Sequence, residues 1–216
     1  MSAALHAPSV SIPAGRVTLE GMLELPAPGA GVVIFSHGSG SGRHSPRNQF
    51  VAAELVRAGL GILLVDLLTP QEDTDYEARF DITLLSERLA HAVRYVAGRN
   101  HERAPAIGLF GASTGAASAL RVAAAMPLTV RAVVSRGGRP DLAGTGVLER
   151  VTVPTLLVVG GEDTEVIELN RSAYERLERC ERKLVLVPRA THLFEEPGTL
   201  EEVARLASGW FTRHLR

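Results

Sequence analysis

The chain is nearly devoid of cysteine: Cys180 stands alone in 216 residues. That excludes an intrachain disulfide as a staple and fits a reducing, cytoplasmic compartment. Charge of one sign is lacking too, with 23 Lys and Arg against 24 Asp and Glu and a formal net charge of −1. No global field recruits nucleic acid or an anionic membrane, so neither is expected as a partner. Nothing approaches the roughly eighteen consecutive apolar residues that would span a bilayer. The first residues, Met1 to Gly15, show neither the basic start nor the continuous apolar core of a secretory leader. Internal repeats, low-complexity tracts and linker-like stretches are likewise missing. What is present is globular in character, 45% hydrophobic and 22% charged, and long enough for one domain with a large core spanning residues 1–216.

Patterning then divides the chain. Val17 to Leu25 alternates apolar and polar, as suits a half-exposed strand, antiparallel and near a sheet edge. After a turn cluster from Pro26 to Gly31, Val32 to Phe35 is a short β-branched run of the kind buried on both faces. A helix is expected from the Ser45-Pro46 start to Gly59, with Val51, Leu55 and Ala58 on its buried side. Gly61 to Leu68 reads as a buried strand containing Asp66, followed by a polar, irregular stretch from Thr69 to Arg79. Ile82, Leu85, Leu89, Val93 and Val96 have helical spacing over Asp81 to Ala97. Further strands are expected at Ile107 to Phe110, Ala132 to Ser135, Thr155 to Val159 and Leu184 to Val187, with a charged helical segment around Cys180. Thr199 and Glu202 form a capping box for a closing helix with a buried stripe of Val203, Leu206, Ala207, Trp210 and Phe211. Strands alternating with helices throughout predict an α/β fold: a mostly parallel sheet with helices on both faces. Such sheets bind ligands beyond the carboxyl ends of their strands.

The organising stretch is Ile107 to Ala117, in which an apolar strand runs into Gly111-Ala112-Ser113-Thr114-Gly115 and then into small residues at helical spacing. Gly-x-Ser-x-Gly between strand and helix is a nucleophile elbow, a sharp turn that lifts the serine hydroxyl off the sheet edge. The helix begins beside that hydroxyl, so its free N–H groups and positive dipole end lie close by. Ser113, Asp163 and His192 each follow a strand and so fall on the same edge. A serine hydroxyl needs a base, which His192 supplies, and the base needs an acid to fix its tautomer, which Asp163 supplies. The order Ser, Asp, His along the chain is that of α/β-hydrolases. Two N–H donors are needed for the oxyanion; the backbones of Thr114 and of Ser39, in the glycine-rich loop His37 to Arg43, are the candidates.

These pieces resemble the α/β-hydrolase superfamily over nearly the whole chain, and within it the small, lidless dienelactone-hydrolase-like group. The resemblance rests on His37-Gly38, Gly111-Ala112-Ser113-Thr114-Gly115, Gly161-Glu162-Asp163 and Ala190-Thr191-His192. It implies an α/β-hydrolase fold without a sizeable lid, no metal or organic cofactor, and cleavage of a small ester-like substrate. Dienelactone hydrolases carry a cysteine nucleophile where this chain has Ser113, and Cys180 lies far from the elbow. The departure favours a serine carboxylesterase acting on small esters, lactones or thioesters. A non-catalytic binding protein of the same fold, an acyltransferase and a serine peptidase share the pattern.

Other residues have plainer readings. His37 organises its loop, His44 is a solvated loop histidine and Cys180 is inert. Asp141 also follows a strand and competes with Asp163 for the acid role. Arg136 and Arg139 flank glycines near the expected site, either as solvated loop residues or as anchors for a substrate carboxylate. A dinucleotide fingerprint fails, because Gly38-x-Gly40-x-Gly42 meets Arg43 where the third glycine belongs.

Overall fold

The computed structural model describes residues 7–25, 30–99 and 104–215. The first residues of the chain and most of the turn cluster at 26–29 thus lie outside the described residues. Eight strands form one sheet in the order β1-β2-β4-β3-β5-β6-β7-β8. These are β1 Ser9–Ala14, β2 Val17–Glu24, β3 Val32–Ser36, β4 Gly61–Val65, β5 Ile107–Ala112, β6 Val130–Arg136, β7 Thr155–Gly160 and β8 Arg182–Val187. Pairing is antiparallel for β1 with β2 and β2 with β4, and parallel from β4 through to β8. The helices are α1 Pro46–Arg57, α2 Ile82–Ala97, α3 Gly115–Ala125, the short α4 Thr145–Leu148, α5 Thr164–Arg176 and α6 Thr199–His214.

Why the central strands read as unbroken apolar runs is visible in their two-sided burial. In β3, Val32 and Ile34 join the core that contains α2 and α3, while Val33 and Phe35 join the core that contains α1 and α6. Leu109 and Phe110 divide in the same way in β5. Successive side chains leave opposite faces of a strand, so a central strand of a covered sheet must be apolar at every position. The stripe Ile82, Leu85, Leu89, Val93 and Val96 is buried as expected, and α2 is capped by Asp81, whose carboxylate accepts the Leu84 N–H at 3.0 Å.

The structure departs from the sequence reading at several element ends. Strand β1 was not among the expected elements; Pro13 sits inside it, and as an edge strand it loses no ladder bond that the sheet needs. Strand β4 stops at Val65, leaving Asp66 just beyond it rather than within. Ala58 is exposed at the C-cap of α1, and that helix buries Asn48, Val51, Ala52, Ala53 and Leu55 instead. Around Cys180 the chain turns and then enters β8, so the segment is not helical. The N-cap of α6 is the left-handed Gly198, and the Thr199 hydroxyl donates backwards to the Glu196 carbonyl at 2.7 Å. Glu202 pairs with Arg205, so no capping box forms. Among the described residues no helix is long and apolar enough to cross a membrane.

Two close approaches position the site. A Cβ on Gly115 would lie 2.1 Å from the Ser36 carbonyl oxygen and 2.5 Å from that of His37, so the start of α3 is pressed directly onto the end of β3. Ser36 and Ser118 hydroxyls, 2.7 Å apart, join the same two elements from within. His37 then ties β3 to β4: its Nε2 accepts the Leu67 N–H at 3.0 Å, leaving Nδ1 as the protonated nitrogen, 3.0 Å from the Gly38 carbonyl oxygen. Burial pushes this imidazole below its ordinary value of 6.5, despite the opposing pull of Gly38, Asp66 and Asp73.

Gly115→Ala is expected to destabilise the fold by at least about 2 kcal/mol, since backbone rather than a flexible side chain must move; urea denaturation measures it. The neutral His37 contributes stability that is present above the unfolded value of 6.5 and is lost as pH falls through it towards the lower folded value. The urea midpoint should therefore drop between pH 7.5 and pH 5. His37→Gln should show a shallower drop, part of it remaining because burial also lowers His214.

Candidate active site

The turn between β5 and α3 holds Ser113 at φ 50°, a left-handed conformation that a serine adopts only under constraint. The constraint is visible. The Ser113 N–H donates to the Arg136 carbonyl at 3.2 Å, and the Arg139 N–H donates to the Ser113 carbonyl at 3.0 Å. The elbow is thus pinned to the turn that follows β6. A Cβ on Gly111 would lie 2.5 Å from the Ala116 Cα, and one on Gly38 would lie 3.1 Å from the Ser113 Cβ. Both glycines allow backbone to close around the serine.

Asp163 sits at the N-cap of α5, immediately beyond β7, and His192 follows β8. Asp163 Oδ2 lies 2.6 Å from His192 Nδ1. The carboxylate is the more buried partner, at 15% side-chain exposure against 39% for the imidazole. A carboxylate less exposed than the imidazole it contacts is an arrangement able to fix that ring's tautomer. The loop carrying His192 is packed onto the end of β7: a Cβ on Gly160 would meet the Ala190 carbonyl oxygen at 2.4 Å. The Glu162 N–H donates to that same carbonyl at 3.0 Å. Glu196 closes the loop from the other side, accepting from the Thr191 N–H at 3.1 Å and the Thr191 hydroxyl at 2.6 Å. Arg47 on α1 reaches Glu195 at 3.0 Å.

Asp141 is engaged elsewhere. Arg139 grips it with Nε and Nη2 at 2.9 and 2.8 Å, and among the described residues no hydrogen bond joins Asp141 to His192. Asp163 is the acid in contact with the imidazole. Ser113 and His192 both abut the turn after β6, where a Cβ on Gly137 would lie 3.7 Å from His192 Cε1. No hydrogen bond links the Ser113 hydroxyl to His192 among the described residues. Catalytic contacts of this kind often tighten only with substrate bound.

The glycine-rich loop is fixed by an unexpected pair. Arg43 bonds Asp66 through its guanidinium, and its N–H donates to Asp66 Oδ1 at 2.6 Å. The Ser39 N–H donates to the Thr114 hydroxyl at 3.0 Å, so it is turned towards the elbow and engaged by a side chain there rather than left open. A cleft of about 320 Å³ opens along this loop, lined by Glu20, Gly40, His44, Asp66, Thr69 and Asp73 among others. Arg136 is not a solvated loop residue: it ends β6, is 8% exposed, and burial pushes its guanidinium down to about 10, with Arg47 adding to the same effect. Gly137, Glu195 and Glu196 escaped the sequence reading as site-shaping residues. Only the Gly-Gly pair after β6 and the acidic pair after His192 hinted at them. Among the described residues no three His, Cys, Asp or Glu side chains group to hold a metal ion.

No family model matches the chain. Dienelactone hydrolase from Anabaena variabilis superposes with a TM-score of 0.92 at 50% identity, covering 98% of this chain and 99% of that one. Est1E from Butyrivibrio proteoclasticus shares the fold, with a TM-score of 0.79 at 18% identity over 95% of this chain and 98% of its own. Two Mycobacterium tuberculosis proteins named as phosphoribosyl transferases are 52% identical over 207 residues, 95% of this chain. The chain spans about half of their length, 46%. The near-complete correspondence with the Anabaena structure, together with the eight-stranded sheet and the elbow, shows that the chain belongs to the dienelactone-hydrolase-like group of α/β-hydrolases.

Proposed function

We propose that the chain is a serine hydrolase of carboxylesterase type, cleaving small esters, lactones or thioesters. The observation that carries this reading is the 2.6 Å contact between Asp163 and His192 on the edge where the strained Ser113 stands. In the proposed reaction Ser113 Oγ bonds to the substrate carbonyl carbon as its proton passes to His192 Nε2. Asp163 keeps the Nδ1 proton in place and offsets the charge on the imidazolium. The carbonyl oxygen becomes an oxyanion, met by the Thr114 N–H at the start of α3 and by the Ser39 N–H, which exchanges the Thr114 hydroxyl for it. Collapse breaks the bond to the alcohol or thiol, which leaves with the proton from His192. Water, deprotonated by the same imidazole, then releases the acid and restores Ser113.

Substrate size follows from the setting. The loop at residues 66–81 holds two 3₁₀ turns and that at 137–154 one 3₁₀ turn and the short α4, so among the described residues neither forms a lid over a long acyl chain. The Anabaena relative is named a dienelactone hydrolase and Est1E has been solved with ferulic acid bound, both in keeping with ester chemistry. The transferase name belongs to proteins about twice as long, of which this chain matches 46%.

Ser113→Ala should reduce turnover of a short-chain p-nitrophenyl ester at least about 10³-fold, and a fluorophosphonate adduct mapped by mass spectrometry should fall on Ser113. An adduct on another serine would break the assignment; no adduct and no turnover would point to a binding protein of the same fold. Asp163→Asn should cost about 10²–10⁴-fold in kcat by disturbing the tautomer, whereas Asp141→Asn should stay within about threefold, as it loses only a surface ion pair. The reverse ranking would give the acid role to Asp141.

A further inference from the structure

Arg136 ends β6 with a buried guanidinium that has no ion pair among the described residues. Its Nε and Nη1 are both shielded from solvent and without a hydrogen-bond partner. The charged group that acts on it is another cation, Arg47 at the start of α1. Buried charges are ordinarily paired, because an unpaired one forfeits its hydration with nothing in return. The surroundings favour a negative partner. Arg47 also has a buried, unpartnered Nε, although its Nη1 is held by Glu195. The first turn of the twelve-residue α1 contains no acidic residue, so its dipole is not offset locally.

We propose that Arg136, with Arg47 and the first turn of α1, forms a buried site for a small monoanion of halide or carboxylate size. Charge sets the valence. Glu195 already offsets Arg47, leaving one positive charge in surplus. Access sets the size: with 8% of Arg136 exposed, an ion or a terminal carboxylate reaches it and a bulky group does not. The site also touches the elbow through the backbone, since the carbonyl of Arg136 accepts the Ser113 N–H. Occupation of the site would hold the end of β6 firm where it anchors the serine. This inference stands apart from the proposed hydrolysis, because anion binding needs no reaction at Ser113.

The test is thermal melting of the full chain at matched ionic strength in sodium isethionate, chloride, bromide and formate. The small anions are expected to raise Tm over isethionate by about 2–6 °C, saturating with concentration. Arg136→Met should melt at one temperature in all four salts, and Ser113→Ala should respond as the wild type does. A response to halide as well as formate identifies a site for a free ion; a response to formate alone identifies a carboxylate subsite. Equal behaviour of wild type and Arg136→Met across the salts would overturn the proposal. Should that variant not fold, bromide anomalous scattering from wild-type crystals decides: a peak at the Arg136 guanidinium is expected, and its absence there refutes the site.

Discussion

The contact on which the site depends is between backbones. The first residue of α3 lies against the last carbonyls of β3, closely enough that position 115 has no room for a Cβ. That approach has two results. The glycine-rich loop leaving β3 must pass directly over the elbow, which puts Gly38 against Ser113 and the Ser39 N–H against the Thr114 hydroxyl. And the elbow must turn so sharply that Ser113 takes φ 50°, a cost carried by hydrogen bonds to the turn after β6. The strain is therefore not local to the serine. It is imposed by β3 on one side and resisted by β6 on the other.

His192 is placed by a second approach of the same kind. Gly160 lets the end of β7 lie under the loop from β8, and Glu196 braces that loop from behind through both donors of Thr191. A histidine on a free loop would sample many orientations. Here the backbone on both sides of it is bonded, and the ring is oriented by Asp163, itself fixed at the N-cap of α5. Asp163 and His192 are thus positioned by neighbouring strand ends, and Ser113 by the strands beside them. Parallel pairing makes this possible, because it brings every strand's carboxyl end to one edge.

Much of this was legible in the sequence, for identifiable reasons. Apolar runs such as Val32 to Phe35 have one physical explanation in a chain with this alternation, and the elbow and the residues after β7 and β8 follow from it. What escaped was set by non-local contacts. Strand β1, with Pro13 inside it, was not expected, since local pattern does not show which strand lies at the edge. Thr199 carries the right residue type for a cap, but the left-handed Gly198 reached that position first. Both Asp163 and Asp141 follow strands, and the Gly-Gly-Glu-Asp context after the seventh strand favours Asp163; the contacts add that Asp163 touches His192 while Arg139, two residues from Asp141, bonds Asp141 through Nε and Nη2.

The two arginines near that turn show why residue type alone does not assign a role. Arg139 and Arg136 stand three positions apart in a run of glycines and look alike in sequence. Strand pairing separates them. Arg136 is the last residue of β6, in register with Ala112 on one side and Val158 on the other, and its side chain is buried. Arg139 lies past Gly137 and Gly138, where the chain is free to turn outward and find Asp141. The exposed one is neutralised by its neighbour and its guanidinium is held charged by that hydrogen bond. The buried one has no such partner, and burial in a low-dielectric setting makes the lack costly in a way that exposure would not. Demand for a counter-ion therefore falls on the residue that the fold hides rather than on the one that the solvent reaches.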